Sequence, residues 1–534
     1  MVEHTRRSVL RTAALAATGA GLAGPLIAEP AAAATTECLP PFGPALVGPD
    51  DPRYQELVLR GYNRRYVANP DQIRVVGTTG QVVDAVQEAV KTGKRVTVRS
   101  GGHCFEGFVD DEVRLLIDMS GMTGVSFDAA RNAFVVEAGA PLGEVYRRLY
   151  LGWGVTIPAG YCPKVGAGGH VPGGGYGPLS RLHGLAADHL YAVEVVYVDA
   201  AGTARSVIAT RNATDPNREL WWAHTGAGGG NFGVATRYWF RSPGATGTNP
   251  ARLLPAPPAT TVTFSVSWPW SGLDEASFSN LARNYSHWCA QNSAPGAATA
   301  KLYSELYFYR PEAGVASMVG QVAGDPDAER VLDAHIAALS AGVGVTPTRT
   351  QQRVPWLGQA MVGPGEAPKF RLKVKAAFHR QEISDRQIAV AYRHLTRTDY
   401  GNPIAAVGMH TYGCQINAMA AGATATAQRD AITKLSYLVG WSDPAQDAQH
   451  LAWIREFYRE MYAETGGVPV PGSSTDGAYI NYPDSDLADP AWNTSGTPWS
   501  TLYFKDGYLR LQKVKARFDP RNVFRHALSV RTTA

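Results

Sequence analysis

Residues Tyr161–Leu190 read YCPKVGAGGHVPGGGYGPLSRLHGLAADHL. Glycine dominates the first half of this stretch. With no Cβ, glycine lets backbone amides close on an anionic ligand, and successive amides form an anion-binding nest. Two other segments share this character. One is Gly101-Gly102 within RSGGHCFEGF (Arg99–Phe108), and the other is TGAGGGNFGV (Thr225–Val234). Neither long cluster forms a Rossmann fingerprint in a clean βαβ unit, and neither is followed by the Gly-Lys-Ser/Thr of a P-loop. The three together predict backbone shaped around an anionic ligand by some other fold.

The flanking segments supply the elements. VVDAVQEAVKTGKRVTVRS reads as an amphipathic helix, a glycine stop and a β-branched strand. RLLIDMSGMTGVSFDAARNAFVVEAGAPLGEVYRRL gives strand, turn, strand, turn, strand and helix, the helix opening at Pro141-Leu142-Gly143. YAVEVVYVDAAGTARSV alternates around an Ala-Gly turn and reads as a hairpin. Pro and Gly thicken at RSPGATGTNPARLLPAPPAT, which marks a boundary. Beyond it, TTVTFSVSW, AKLYSELYFY, RLKVKAAF and AAVGMHTYG read as strands. EASFSNLARNYSHWCAQ and DAERVLDAHIAALS read as helices. The prediction is an α+β chain: a first domain over 40–245, an antiparallel sheet covered by helices over 246–449, and a C-terminal segment over 450–534.

The chain has 534 residues, 45% hydrophobic and 18% charged, which fits a large globular protein rather than a disordered one. Its N-terminus carries twin arginines, Arg6-Arg7, before a run rich in Ala and Gly that small residues close. This predicts a Tat signal peptide over 1–34, a Tat export machinery partner and a secreted product. Loss of Arg6, Arg7 and Arg11 against Glu3 and Glu29 takes the net charge from +4 to about +3. That charge, with no basic stripe, argues against nucleic acid. No later segment is apolar for long enough to span a bilayer. The five cysteines are Cys38, Cys104, Cys162, Cys289 and Cys414. The odd number leaves a thiol over, and no CxxC pair points to a metal. Bridges among Cys38, Cys104, Cys289 and Cys414 stay open.

The three glycine motifs, then YINYPDSDL (Tyr479–Leu487) and the tail LQKVKARFDPRNVFRHALS (Leu511–Ser529), follow in an order that resembles the berberine-bridge-enzyme-like flavin oxidases of the vanillyl-alcohol-oxidase superfamily. The resemblance covers essentially the whole chain after the leader. It implies a PCMH-type FAD-binding domain in two parts, 40–245 and 450–534, with a substrate domain between them. It also implies FAD held by two bonds, from His103 to the 8α carbon and from Cys162 to C6. A thiolate and a neutral imidazole are nucleophiles that a flavin ring can capture, and two bonds should fix the ring and favour its reduction. Cys104 is a weaker rival, on the wrong side of the histidine for the family pattern. The same resemblance places Arg99, Ser100, Gly101, Gly102 and Cys104 against the cofactor. From the second motif it adds Val165, Gly166, Gly168, Gly169, His170, Gly173, Gly174 and Gly175, and from the third Asn231 and Gly233.

Oxidising a C–OH group requires a base for the hydroxyl proton while hydride moves to the flavin. Members of the family that oxidise alcohols carry theirs where Tyr482 stands, flanked here by Tyr479 and Asn481. A phenol is a weak base at neutral pH, so a partner must stabilise the phenolate. Tyr176 and Tyr412 are expected in the same pocket, as in members that oxidise sugars on antibiotics, with His410 competing for the place of Tyr412. The glutamate base of plant members that close a carbon–carbon bridge is missing from AYINYPDSDL. In the family that this chain resembles, a small residue at the position of Val165 goes with oxygen access, which favours O2 as acceptor and H2O2 as product. The Tyr176/Tyr412/Tyr482 set, the Tat leader and the Ala/Gly/Arg-rich style resemble members of the family that act on glycosylated polyketides, and this resemblance implies a small-molecule glycosylated substrate, a sugar on an anthracycline-like polyketide. The alternatives are an oligosaccharide oxidase acting at the anomeric carbon and a flavin-bearing binding protein without turnover. Trp268, Trp270, Trp356 and Trp492 are open between an aromatic groove and the core.

Overall fold

The computed structural model describes residues 42–109, 112–324, 326–362 and 370–532. The leader, its cleavage after Ala34 and Cys38 lie outside them. Three sheets organise the chain. The first holds β1 (Ala45–Val47), β2 (Gln72–Val75), β3 (Val96–Arg99) and β4 (Leu115–Asp118) in the order β1-β2-β4-β3. β4 runs parallel to both β2 and β3, and β1 runs antiparallel to β2. The connection from β2 to β3 is the helix Thr79–Thr92. Thr78 caps it by accepting from the Gln81 amide, and Gly93 ends it at φ 64°, where a Cβ would be strained. Val82, Ala85, Val86 and Ala89 give it a buried stripe at helical spacing.

The second sheet is antiparallel throughout. It joins β5 (Val125–Asp128), β6 (Ala133–Glu137), β7 (Leu190–Val198), β8 (Ala204–Thr210) and β9 (Val234–Phe240) in the order β5-β6-β9-β7-β8. The glycine-rich second motif lies between β6 and β7 in sequence, and the third leads into β9.

The third sheet has seven antiparallel strands. These are β10 (Thr260–Pro269), β11 (Leu302–Tyr309), β12 (Val315–Ala323), β13 (Thr348–Pro355), β14 (Arg371–His379), β15 (Ala406–Thr411) and β16 (Thr433–Trp441), in the order β13-β10-β12-β11-β15-β16-β14. Helices Glu275–Asn292, Ala328–Ser340, Asp385–Thr396 and Asp447–Met461 pack with it. On β11 the alternation sorts two faces. Leu302, Leu306 and Phe308 join the helix-side core, where the Phe308 ring lies 4.5 Å from that of Phe278. Tyr303, Glu305, Tyr307 and Tyr309 face the opposite way, into a cavity.

The predicted strands and helices of the α+β reading are present, and β12, β13 and β16 complete the third sheet. The tail forms the helix Tyr508–Phe518 and an irregular end that packs on the third glycine motif. There the Lys515 ammonium donates to the Asn231 carbonyl (2.7 Å), and the Val530 amide donates to Asn231 Oδ1 (2.8 Å).

Candidate active site

A cavity of about 1130 Å³ lies between the glycine motifs and the tyrosine-bearing face of the third sheet. It exceeds the ~300–1,000 Å³ of an ordinary small-ligand pocket, so a cofactor and a substrate fit together. Most of the residues singled out from sequence line it. From the first motif these are Arg99, Ser100, Gly101, Gly102, His103 and Cys104. From the second they are Cys162, Val165, Gly166, Gly168, Gly169, His170 and Tyr176. Asn231, Gly233, Tyr479, Asn481 and Tyr482 complete the set.

The first two motifs meet where glycine is compulsory. A Cβ on Gly166 would stand 2.0 Å from Ser100 Oγ and 2.3 Å from the Gly101 nitrogen. Ser100 Oγ donates to the Ala138 carbonyl (2.6 Å), and the Gly168 amide donates to the same carbonyl (2.8 Å). Buried Asp118 is shared by the guanidiniums of Arg99 (2.9 Å) and Arg60 (2.7 Å), which leaves one net positive charge at this wall. The histidine and the thiol of the proposed attachment both reach the cavity, and the His103 ring stacks on Tyr62 with centroids 4.9 Å apart. A glycine cradle for the phosphates and two nucleophiles at the wall fit FAD. His170 serves the loop as well as the wall: its Nε2 accepts from the Gly160 amide (2.9 Å), and burial lowers its pKa to about 4. Cys104 is exposed in the wall, and the four described cysteines are unbridged.

The base loop is knitted to the second motif. Asn481 Nδ2 donates to the His170 carbonyl (2.9 Å) and to the Tyr479 hydroxyl (3.1 Å), and that hydroxyl accepts from the Tyr176 amide (3.2 Å). Tyr482 packs edge-on against Phe105 at 5.2 Å. The buried ammonium of Lys434 on β16 faces the rings of Tyr482 (4.4 Å), Tyr176 (4.7 Å) and Tyr479 (5.4 Å). Burial pulls the Lys434 pKa down to about 8, and the Glu305 carboxylate opposes that fall. The Tyr482 pKa is raised, by burial first and by Glu305 second. Lys434 is therefore the cation that can offset a phenolate at this position.

Beneath the loops lies a buried network of charges. Lys373 and Lys375 on β14 meet Asp484 at 2.7 and 2.6 Å, and Lys375 meets Asp486 at 2.8 Å. Lys373 also pairs with Glu106 of the first motif, and Arg455 pairs with Asp486 (2.7 Å). Burial works against the charge of Lys373, but Asp484, Glu106 and Asp486 outweigh it and raise its pKa. The network ties RSGGHCFEGF, β14 and YINYPDSDL together.

Several expectations are corrected. Gly173, Gly174 and Gly175 do not line the cavity. They pack the loop instead, where a Cβ on Gly173 would stand 2.0 Å from Asn481 Oδ1 and one on Gly174 2.8 Å from Thr426 Oγ1. Tyr412 sits behind Tyr176, ring centroids 5.4 Å apart, and its hydroxyl donates to the Gln428 carbonyl (3.2 Å). His410 is fully buried, with Nδ1 2.9 Å from Glu305 Oε1. None of the four tryptophans lines the cavity. Trp268 is core, Trp356 packs on Tyr146 and Tyr150, Trp270 donates to the Tyr309 carbonyl, and Trp492 lies against Arg455 and Arg459. The aromatic groups on the sheet side of the wall are tyrosines, Tyr303, Tyr307 and Tyr309.

Sequence reasoning missed Glu305, Lys434 and the Lys373/Lys375 pair. Their signal was a charged residue inside an otherwise apolar strand, as in LYSELYFY and RLKVKAAF. Such a residue is buried only when paired.

A family model described as FAD binding domain matches residues 70–207, and one described as berberine and berberine like matches residues 478–531. The aclacinomycin-N/aclacinomycin-A oxidase of Streptomyces galilaeus is 53% identical, over 99% of this chain and 98% of that protein. The hexose oxidase of Chondrus crispus is 32% identical, over 90% of this chain and 94% of that one. Among solved structures, a glycopeptide hexose oxidase complexed with teicoplanin superposes with a TM-score of 0.88 at 52% identity, covering 92% of this chain and all of that one.

Proposed function

The chain belongs to the berberine-bridge-like family of FAD-dependent oxidoreductases, and from that premise we propose that it oxidises a sugar hydroxyl of a glycosylated natural product, anthracycline-like in its aglycone. The observation that carries the reading is the Tyr482 phenol at the cavity, facing Lys434 and opposite the sheet wall of Tyr303, Glu305 and Tyr307. The relatives named for aclacinomycin, hexose and glycopeptide hexose oxidation support the substrate class.

His103 and Cys162 would hold the cofactor by two bonds, and the glycine cradle would take its phosphates. When bound, FAD would supply a two-electron acceptor for the substrate's hydride, with dioxygen as the terminal acceptor and hydrogen peroxide as its product. Tyr482 takes the hydroxyl proton as that hydride leaves, so the alcohol carbon becomes a carbonyl. The Lys434 ammonium, 4.4 Å from the Tyr482 ring, favours the phenolate that does this. Val165 at the wall leaves room for dioxygen. The twin-arginine leader adds export of the folded, loaded protein.

The test is anaerobic bleaching of the flavin. The protein is mixed with a glycosylated anthracycline, with teicoplanin, and with cello- and malto-oligosaccharides, and air is then admitted. Bleaching by the glycosylated antibiotics, reversed by air with release of peroxide, is expected. Bleaching by the oligosaccharides alone refutes the substrate class, and binding without bleaching refutes turnover.

A further inference from the structure

Three hydroxyl groups on the sheet side of the cavity, those of Tyr303, Tyr307 and Ser436, share one buried carboxylate. Tyr303 donates to Glu305 Oε1, and Tyr307 donates to Glu305 Oε2 at 2.9 Å. His410 Nδ1 lies 2.9 Å from Oε1, and its Nε2 lies 2.7 Å from Ser436 Oγ. Burial first and the neighbouring Lys434 ammonium second lower the pKa of His410 more than Glu305 raises it, so the imidazole is neutral and carries one proton. A carboxylate cannot donate, so that proton sits on Nδ1, and Nε2 must accept from Ser436. Burial first and the charge of Glu305 second keep both phenols protonated. The Tyr303 and Tyr307 protons are thus spent on Glu305, and the Ser436 proton on His410. The oxygens of Tyr303, Tyr307 and Ser436 have only lone pairs left to offer the cavity.

We propose that Glu305, directly and through His410, makes the oxygens of Tyr303, Tyr307 and Ser436 an acceptor-only subsite that selects substrates by donors, namely free hydroxyl or amino groups on the sugar beside the carbon that is oxidised. The proposal rests on the sugar-oxidising reading above and deepens it. Glu305 and His410 are positioning residues, and Tyr303, Tyr307 and Ser436 make the contacts. A sugar lacking the donor leaves a desolvated acceptor unpaired, which costs about 10-fold or more in affinity. Lys434 stands next to His410 on the same face of the sheet, and its ammonium is the donor that borders these three oxygens on the Tyr482 side.

The probe is whichever of p-nitrophenyl β-D-glucoside, teicoplanin and a glycosylated anthracycline bleaches the flavin fastest. It is compared with its monodeoxy and mono-O-methyl forms at the positions flanking the oxidised carbon. In the unmodified protein at least one of these forms should lose about 10-fold or more, in KM rather than in kcat. Glu305→Gln places an amide donor in the cluster and turns one hydroxyl proton toward the cavity. The parent-to-deoxy KM ratio should then fall toward one. Tyr307→Phe and Ser436→Ala each remove one acceptor and should lower the ratio without reversing it. A merely structural role would raise KM for all probes alike and leave the ratio unchanged. An unchanged ratio in all three variants, with the parent still bleaching, overturns this inference alone. No bleaching by any glycoside overturns the sugar-oxidising reading and this inference with it.

Discussion

Replacing Lys373 with methionine tests the buried charge network that joins the first motif, β14 and the Tyr482 loop. In the native arrangement three cations, Lys373, Lys375 and Arg455, face three carboxylates, Glu106, Asp484 and Asp486. Lys373→Met leaves two cations against three carboxylates. Glu106 then keeps only the hydroxyls of Tyr66 (3.0 Å) and Ser485 (3.1 Å). Removing one partner of a buried ion pair costs about 3–5 kcal/mol. Unfolding entropy near 60 °C is about 2.1 cal/mol/K per residue, or about 1 kcal/mol/K for the roughly 490 residues of the compact unit. The melting temperature should therefore drop by about 3–5 °C, read from the release of flavin fluorescence on heating. The informative variant is the double one. Glu106→Gln removes the surplus negative charge that Lys373→Met creates. The double variant should therefore melt above Lys373→Met alone, although it carries one more change. A double variant that melts lower by the full cost of Glu106→Gln would refute the charge-balance reasoning.

Tyr482→Phe should lower kcat about 10²–10⁴-fold, the usual worth of a positioned base, while flavin content stays at the wild-type level; steady-state peroxide release and the visible spectrum check it. Either His103→Ala or Cys162→Ala alone should leave the flavin in the acid-precipitated protein, and only the double variant should release it to the supernatant. Burial raises Asp476 to about 7, against the opposing pull of Lys505. The folded state thus binds more protons than the unfolded state between about pH 4 and 7, so this carboxyl lowers stability as pH rises through that window, by about 1.4 kcal/mol per unit. Melting temperatures of wild type and Asp476→Asn should diverge in favour of the variant over the same interval; parallel curves would refute it.

What was legible in the sequence follows from how local each cause is. Gly166 is forced by backbone meeting backbone, so glycine alone marks the loop. The hairpin of β7 and β8 shows in its alternation, and the helix Thr79–Thr92 in its cap and stripe. The order β13-β10-β12-β11-β15-β16-β14 is set by pairings between distant strands, which no short window contains. Lys375 and Asp484 are 109 positions apart, so neither charge announces its partner. Tyr412 was misread for a related reason. Strand alternation places the residue, but the direction of its hydroxyl is decided by the Gln428 carbonyl on a separate turn. The tryptophans illustrate the limit of composition: large aromatic groups fill cores and line grooves equally well.

The tail contacts make one wall of the cavity depend on how the tail docks. Asn231 in the third glycine motif is held by Lys515 and by the Val530 amide, and the His526 ring stacks on Phe108 of the first motif at 3.8 Å. One end of the cavity is thus finished by residues 284 and 299 positions further along the chain than the loop they hold. Local opening of the tail would unmake that wall without disturbing a strand of any sheet.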